Sequence, residues 1–255
     1  MTSAIPYIDR IYLINLGKDT QRLSSFTELA NRLSFPFQRI EATNGKVDYI
    51  DPKIVDSNSY FNHANGRPSK LTHGERGLIM SHVAIWKDML TKGYDKVLVF
   101  EDDVTTKIDR QTLDAKISQV FEATKDNPAD IIYLGKCLDL CSKGIKVVDD
   151  IYQTKRPLCT HAYIITKNGV EKLMAKLPMH EPYDLFISNH IKNGYLTAYT
   201  FRESIFVQDL ENFPSNLKNI GQSYECVRDF ISSKIPTVIA ILIGIIILLL
   251  LFKKD

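Results

Sequence analysis

The chain is poor in several features that would place it quickly. Among 255 residues there are four cysteines and one tryptophan, and 32 basic against 30 acidic side chains leave a formal net charge of +2. So even a balance offers no electrostatic footing for nucleic acid, which calls for a basic face. The cysteines are too few for a disulfide scaffold, and Cys137, Cys141, Cys159 and Cys226 do not follow zinc-site spacing. A Gly-x4-Gly-Lys-Ser/Thr loop and a nucleophile elbow are both missing, which leaves phosphoryl transfer or metal-dependent hydrolysis as a weaker alternative for any acidic motif. Met1 to Tyr12 carries no basic segment followed by an apolar stretch, and no Asn-x-Ser/Thr sequon occurs.

Long apolar runs are absent from the body but not from the end. The 18 residues from Ile235 to Phe252 carry no charge, and 15 of them are Ile, Leu, Val, Ala or Phe. As a helix this run is about 27 Å long, enough to cross a thin bilayer, with Lys234, Lys253 and Lys254 at its borders. The sequence thus divides into a body over 1–230 and a juxtamembrane segment with a transmembrane helix over 231–255, the helix itself spanning about 235–252. A tail anchor without a leader puts the body in the cytosol, where four free thiols are expected; a Cys137–Cys141 disulfide is the alternative for an oxidising compartment.

Apolar periodicity organises the body. Arg10–Leu16 and Phe37–Glu41 read as strands, with a helix between them whose face is Leu23, Phe26, Ala30 and Leu33. Residues 48–72 lose the pattern and read as a loop. A helix carrying Ile79, Val83, Trp86 and Met89 ends at Gly93 and leads into the apolar strand Lys96–Phe100. A helix around Leu113 to Phe121, strands at Ile131–Leu134 and Ala162–Thr166, and helices near Lys167–Leu177 and Tyr183–Asn193 continue the alternation. This order predicts an α/β fold, a mostly parallel central sheet with helices on both faces.

Chemistry concentrates where the strand Lys96–Phe100 stops, at Glu101-Asp102-Asp103. Ligands in open α/β sheets bind beyond the carboxyl ends of strands. Alternation puts Glu101 and Asp103 on one side and Asp102 on the other, and carboxylates so crowded repel unless a cation such as Mg²⁺ or Mn²⁺ joins them. Glu101 and Asp103 are therefore the candidate metal ligands; an acidic strand end or a helix cap is the plainer reading.

Around this motif lie others in a fixed order: Tyr12-Leu13-Ile14-Asn15-Leu16 with Arg22; Ala42-Thr43-Asn44-Gly45; Gly74-Glu75-x-Gly77-x-x-x-Ser81-His82-x-x-x-Trp86; Glu101-Asp102-Asp103; Thr160-His161-Ala162-Tyr163; and Pro182-Tyr183-Asp184. Over residues 8 to 220 this order resembles glycosyltransferase family 25, which includes lipooligosaccharide and collagen hydroxylysine galactosyltransferases. The resemblance implies a GT-A type nucleotide-diphosphosugar transferase fold, a divalent metal, a UDP-sugar donor, a glycan or glycoprotein acceptor, and inversion at the anomeric carbon. Asn44 stands where the family usually has Asp, and Leu78 where it often has Cys. The Asn44 departure motivates the reading of a catalytically inactive, membrane-anchored binding module.

In the transferase reading Asp184 is the first candidate for the base that takes the acceptor proton and Glu211 the second; capping the following helix is the plainer role for Asp184. Asn15, Arg22, Asn44, Gly45, Glu75, His82 and Asp102 are the candidate donor contacts, Arg22 through phosphate or ribose and Glu75 through sugar hydroxyls. Turn formation by Asn44-Gly45, a solvated helix face for Arg22 and structural roles for His82 and His161 are the alternatives. Phe213-Pro214-Ser215-Asn216 gives a thin late match.

Overall fold

The central strands are buried on both faces, and their side chains point alternately into two packed layers on either side of the main sheet. The computed structural model describes residues 5–56, 58, 60–62, 66–213 and 225–226. In chain order these form β1 (Arg10–Asn15), α1 (Thr20–Arg32), β2 (Gln38–Glu41), β3 (Tyr60–Asn62), β4 (Arg67–Ser69), α2 (His73–Lys92), β5 (Lys96–Glu101), β6 (Val104–Thr105), α3 (Arg110–Ala123), β7 (Ile131–Tyr133), β8 (Ile145–Val148), β9 (Ile151–Gln153), β10 (Ala162–Thr166), α4 (Lys167–Met174), α5 (Tyr183–Lys192), β11 (Ala198–Phe201) and β12 (Val207–Gln208). Ile11, Leu13, Leu98 and Phe100 face Phe26 of α1 and Leu113 and Ile117 of α3. Tyr12, Val97, Val99 and Tyr163 face the other way, toward Val83 and Trp86 of α2, Leu173 of α4 and Phe186 of α5. Helices on both faces follow from that two-sided burial.

The eight-stranded sheet runs β2-β1-β5-β10-β7-β11-β9-β8. It is mixed, which corrects the expectation of a mostly parallel sheet. The pairs β1·β2, β1·β5 and β7·β11 are parallel, while β5·β10, β10·β7, β11·β9 and β9·β8 are antiparallel. A crossover helix is what makes successive strands parallel. Between β7 and β10 the chain instead makes the β8–β9 hairpin, so β10 returns against both of its neighbours.

Local chemistry explains the helix ends. Thr72 caps α2 and forms a reciprocal capping box with Glu75, and Gly93 closes the same helix in the left-handed conformation at φ 70°. Asp109 and Thr166 cap α3 and α4 with their side chains. Within the stretch read as loop, β3 and β4 pair as a short hairpin.

The cysteines depart most from expectation. Cys137 joins Cys159 and Cys141 joins Cys226, in place of four free thiols or a Cys137–Cys141 bond. The second bridge brings residues 225–226 back onto the body, where Glu225 accepts from Ser204 N at 3.1 Å and its carbonyl accepts from Asp139 N at 2.9 Å. The apolar run 235–252 and the residues Ser215 and Asn216 lie outside the described residues. Among the described residues no helix is long and apolar enough to cross a membrane.

Candidate active site

Because β10 is reversed, its beginning lies at the same rim as the end of β5. Phe100 pairs with Ala162 in the antiparallel register, and Glu101 N donates to His161 O at 2.9 Å. The rim therefore collects the end of β1, the end of β5, the loop before β10 and, through that loop, the start of α5.

The three acids separate as alternation requires. Asp102 turns toward β1 and α1, accepting from Asn15 Nδ2 at 2.7 Å and from the Arg22 guanidinium at 2.9 Å. Asn15 is buried and fully engaged: its other bonds go to the Asp19 carbonyl and, as acceptor, to Arg39 Nε at 2.9 Å. Arg22 also lies 3.7 Å from Asp103 and over the Phe213 ring. Asn15 and Arg22 thus hold Asp102 in a fixed charged pair, while the charge of Glu101 acts on Asp103.

Glu101 accepts from Thr160 Oγ1 at 3.1 Å, and Asp103 accepts from Gln208 Nε2 at 3.2 Å. Burial raises both carboxyls to about 7, and the neighbouring acids add to the rise. Asp103 Oδ1 is buried without a hydrogen-bond partner. Two desolvated carboxylates, one with an unused oxygen, suit an oxygen-ligated divalent cation. Among the described residues no group of three His, Cys, Asp or Glu side chains could enclose such an ion, so a bound donor would have to complete its shell.

Behind Glu101 sits an aromatic wall. His82 is fully buried, stacks on Tyr183 with ring centroids 3.8 Å apart, and bonds Tyr163 Oη through Nδ1 at 2.8 Å. Burial lowers its pKa to about 3, so it is neutral, and its Nε2 stands 3.7 Å from Glu101, too far for a hydrogen bond. His161 has a structural role: its Nε2 meets the Phe206 carbonyl at 3.1 Å, and burial lowers its pKa to about 4.

Asp184 does not cap α5; Pro182 occupies that position without a side-chain bond. The Asp184 carboxylate instead accepts from Leu185 N at 2.8 Å and from Cys159 N at 3.3 Å. Burial raises its pKa, those two N–H groups oppose the rise, and the charge of Glu75 adds to it.

Several other candidate residues make local bonds or close backbone contacts. Glu75 accepts from Thr72 N at 2.7 Å as the second half of the capping box, although its charge still reaches Asp184. Asn44 makes an Asx turn, accepting from Lys46 N at 3.1 Å, while its own N–H binds Asp48. Gly45 and Gly77 let the two backbones touch: a Cβ on Gly45 would lie 1.9 Å from His73 O, and one on Gly77 would lie 2.2 Å from Thr43 O. Glu211 is exposed on the turn after β12, a turn tied to the acids by Asp209 N donating to Asp103 O at 2.7 Å. Sequence reasoning missed Gln208 and Cys159. Gln208 lies in a two-residue strand with no periodic signal, and Cys159 contributes only a backbone N–H.

The model of glycosyltransferase family 25 (LPS biosynthesis protein) matches residues 8–187. Procollagen galactosyltransferase 1 of Danio rerio is 25% identical over 211 residues, covering 76% of this chain and 34% of that protein. Inactive glycosyltransferase 25 family member 3 of Mus musculus is 27% identical over 201 residues, covering 70% and 31%. This chain therefore spans about a third of the length of these curated relatives. A solved UDP-glucose pyrophosphorylase complexed with UDP-glucose aligns over 77% of this chain and 90% of its own, at TM-score 0.43 and 11% identity. With the family model covering well over half of its length, the chain belongs to glycosyltransferase family 25.

Proposed function

We propose that this domain transfers a hexose, galactose first among the candidates, from a UDP-sugar to a hydroxyl on a glycan or glycoprotein, with inversion, in a GT-A type arrangement. The observation that carries this reading is the split of the acidic motif: Asp102 is bonded by Asn15 and Arg22, while Glu101 and Asp103, the latter reached by Arg22 only at 3.7 Å, are carboxyls whose charges act on each other. Glu101 and Asp103 would hold Mn²⁺ or Mg²⁺, which when bound offsets the charge of a departing diphosphate. Asp184 serves as the base for the acceptor hydroxyl. Its raised pKa makes it a stronger proton acceptor than an ordinary carboxylate, and the Cys159 and Leu185 N–H groups orient it. The Asn15–Asp102–Arg22 cluster fixes the wall beside the diphosphate.

The apolar run 235–252 is proposed as a membrane helix. The two disulfides favour the oxidising side of that membrane for the domain, against the cytosolic expectation. Mouse family member 3, named inactive, supplies the second reading, a domain that binds sugar nucleotide without turnover. Incubation of the full chain with UDP-galactose, Mn²⁺ and an acceptor panel should release UDP in a metal-dependent way. UDP binding without release would assign the inactive reading. No binding and no release would remove both.

A further inference from the structure

The two candidate carboxylates on different elements, Glu101 of β5 and Asp184 of α5, are contacted by consecutive residues of one short segment. Cys159 N donates to Asp184 and Thr160 Oγ1 donates to Glu101. That segment is held in an unfavourable conformation. Cys159 has φ 62°, in the left-handed region that a side chain with a Cβ rarely adopts, and Leu138, next to its disulfide partner, has φ 47°. Such residues persist where the surroundings over-determine them. Here the surroundings are the Cys137–Cys159 bond and a reciprocal backbone pair, Cys137 N to Leu158 O and Leu158 N to Cys137 O, both at 2.9 Å.

We propose that the Cys137–Cys159 disulfide is a positioning element of the active site, holding Cys159-Thr160 so that one segment sets both the base and the metal-side carboxylate. The inference rests on the reading of Glu101 and Asp184 given above. The second disulfide serves as its internal control. Cys141–Cys226 pins residues 225–226 to the body and, among the described residues, makes no bond to either carboxylate.

The test uses the full chain. Cys137→Ser/Cys159→Ser should stay cooperatively folded and lose about 10- to 100-fold in kcat, the penalty of a misplacement near 1 Å, with donor KM little changed. Cys141→Ser/Cys226→Ser should lower Tm and keep kcat. Thr160→Val should lower kcat and Thr160→Ser should restore it, a distinction that a purely structural role would not make. Wild-type kcat in a folded Cys137→Ser/Cys159→Ser protein overturns the proposal, as does a loss that follows Tm and is recovered on cooling. Should that variant not fold, an unchanged kcat in Thr160→Val overturns it instead. If the wild-type chain shows no turnover, the transferase reading fails on its own, and Mn²⁺ titration decides the positioning claim. Weaker Mn²⁺ binding in Thr160→Val and in Cys137→Ser/Cys159→Ser supports it, and unchanged or absent binding overturns it.

Discussion

The two ends of the sheet are stabilised by different means. The half built on β2, β1 and β5 has an aromatic core in which Phe100 meets Phe26, Phe35 and Phe206, with centroids 4.8 to 5.9 Å apart. The half ending in β11, β9 and β8 reaches a hairpin edge with Ile145, Val147 and Val148 exposed, and the turn just before β8 carries Cys141–Cys226. Where a strand can be buried on both faces, apolar packing suffices. Where the edge is thin and wet, beside β8, a covalent link is added to the packing.

That contrast can be broken from either side. Removing Cys141–Cys226, which closes 85 residues, should cost about 4–5 kcal/mol in urea unfolding by the loop-entropy relation, and reductant, which also opens the 22-residue Cys137–Cys159 loop, should cost the wild type more than that. Phe100→Ala should cost about 4 kcal/mol through its cavity, with reductant adding the same increment to variant and wild type. If reductant adds nothing in the variant, the two halves are not independent.

A third substitution probes the polar interior of the stapled half. Lys136 is buried and donates to the carbonyls of Phe201, at 2.5 Å, and Arg202; burial lowers its pKa, and nearby Asp139, itself raised by burial, opposes that shift. Lys136→Met should cost about 3 kcal/mol, because two carbonyls and a buried carboxylate lose their cation.

Acid dependence separates the groups at the rim. His82 and His161 are held near 3 and 4, so the unfolded chain takes protons below about 6.5 that the folded state refuses. Their contribution is complete above that pH and is lost as pH falls toward 4. Glu101 and Asp103, raised to about 7, act in the opposite sense, costing stability as pH rises from the ordinary carboxylate range to about 7. Between pH 4.5 and 6.5 the two histidines and the Glu101–Asp103 pair therefore act on wild-type stability in opposite directions. Glu101→Gln/Asp103→Asn should be more stable at pH 7.5 and should weaken steadily on acidification, as read by thermal melts across that range.

The smallest effect concerns Glu75. Thr72→Ala should cost about 1 kcal/mol as a lost cap and leave turnover unchanged. Glu75→Gln with a larger loss of turnover than Thr72→Ala would return Glu75 to the site by way of its charge on Asp184.

Much of the first half was legible because its signals are local. Phe26 and Ala30 recur at helical spacing, Val97 to Phe100 form an unbroken apolar run, and Glu101 and Asp103 alternate against Asp102 by strand geometry alone. The second half was not. The disulfide partners lie 22 and 85 residues apart, and spacing says nothing about which thiols meet. The strand β11, Ala198–Phe201, is too short to show a period, and the reversal of β10 depends on the missing crossover helix. Asn15, Arg22 and His82 could be named in advance as donor contacts, but their bonds to Asp102 and to Tyr163 could not, and the part played by the Cys159 N–H belongs to no residue type. Asn44 and Glu75 were drawn to the donor by motif order, which gave no sign of the turn and the cap that they also form.

Gly45 and Gly77 carry a final implication. Each would drive a methyl group into the other segment's backbone, not into a side chain that could rotate away. The height of the 42–45 loop above the start of α2 is thus set by two absent atoms. Neither position can be rescued by trimming a neighbour, so a change at one cannot be compensated by a change at the other, and the pair constitutes a single indivisible locus.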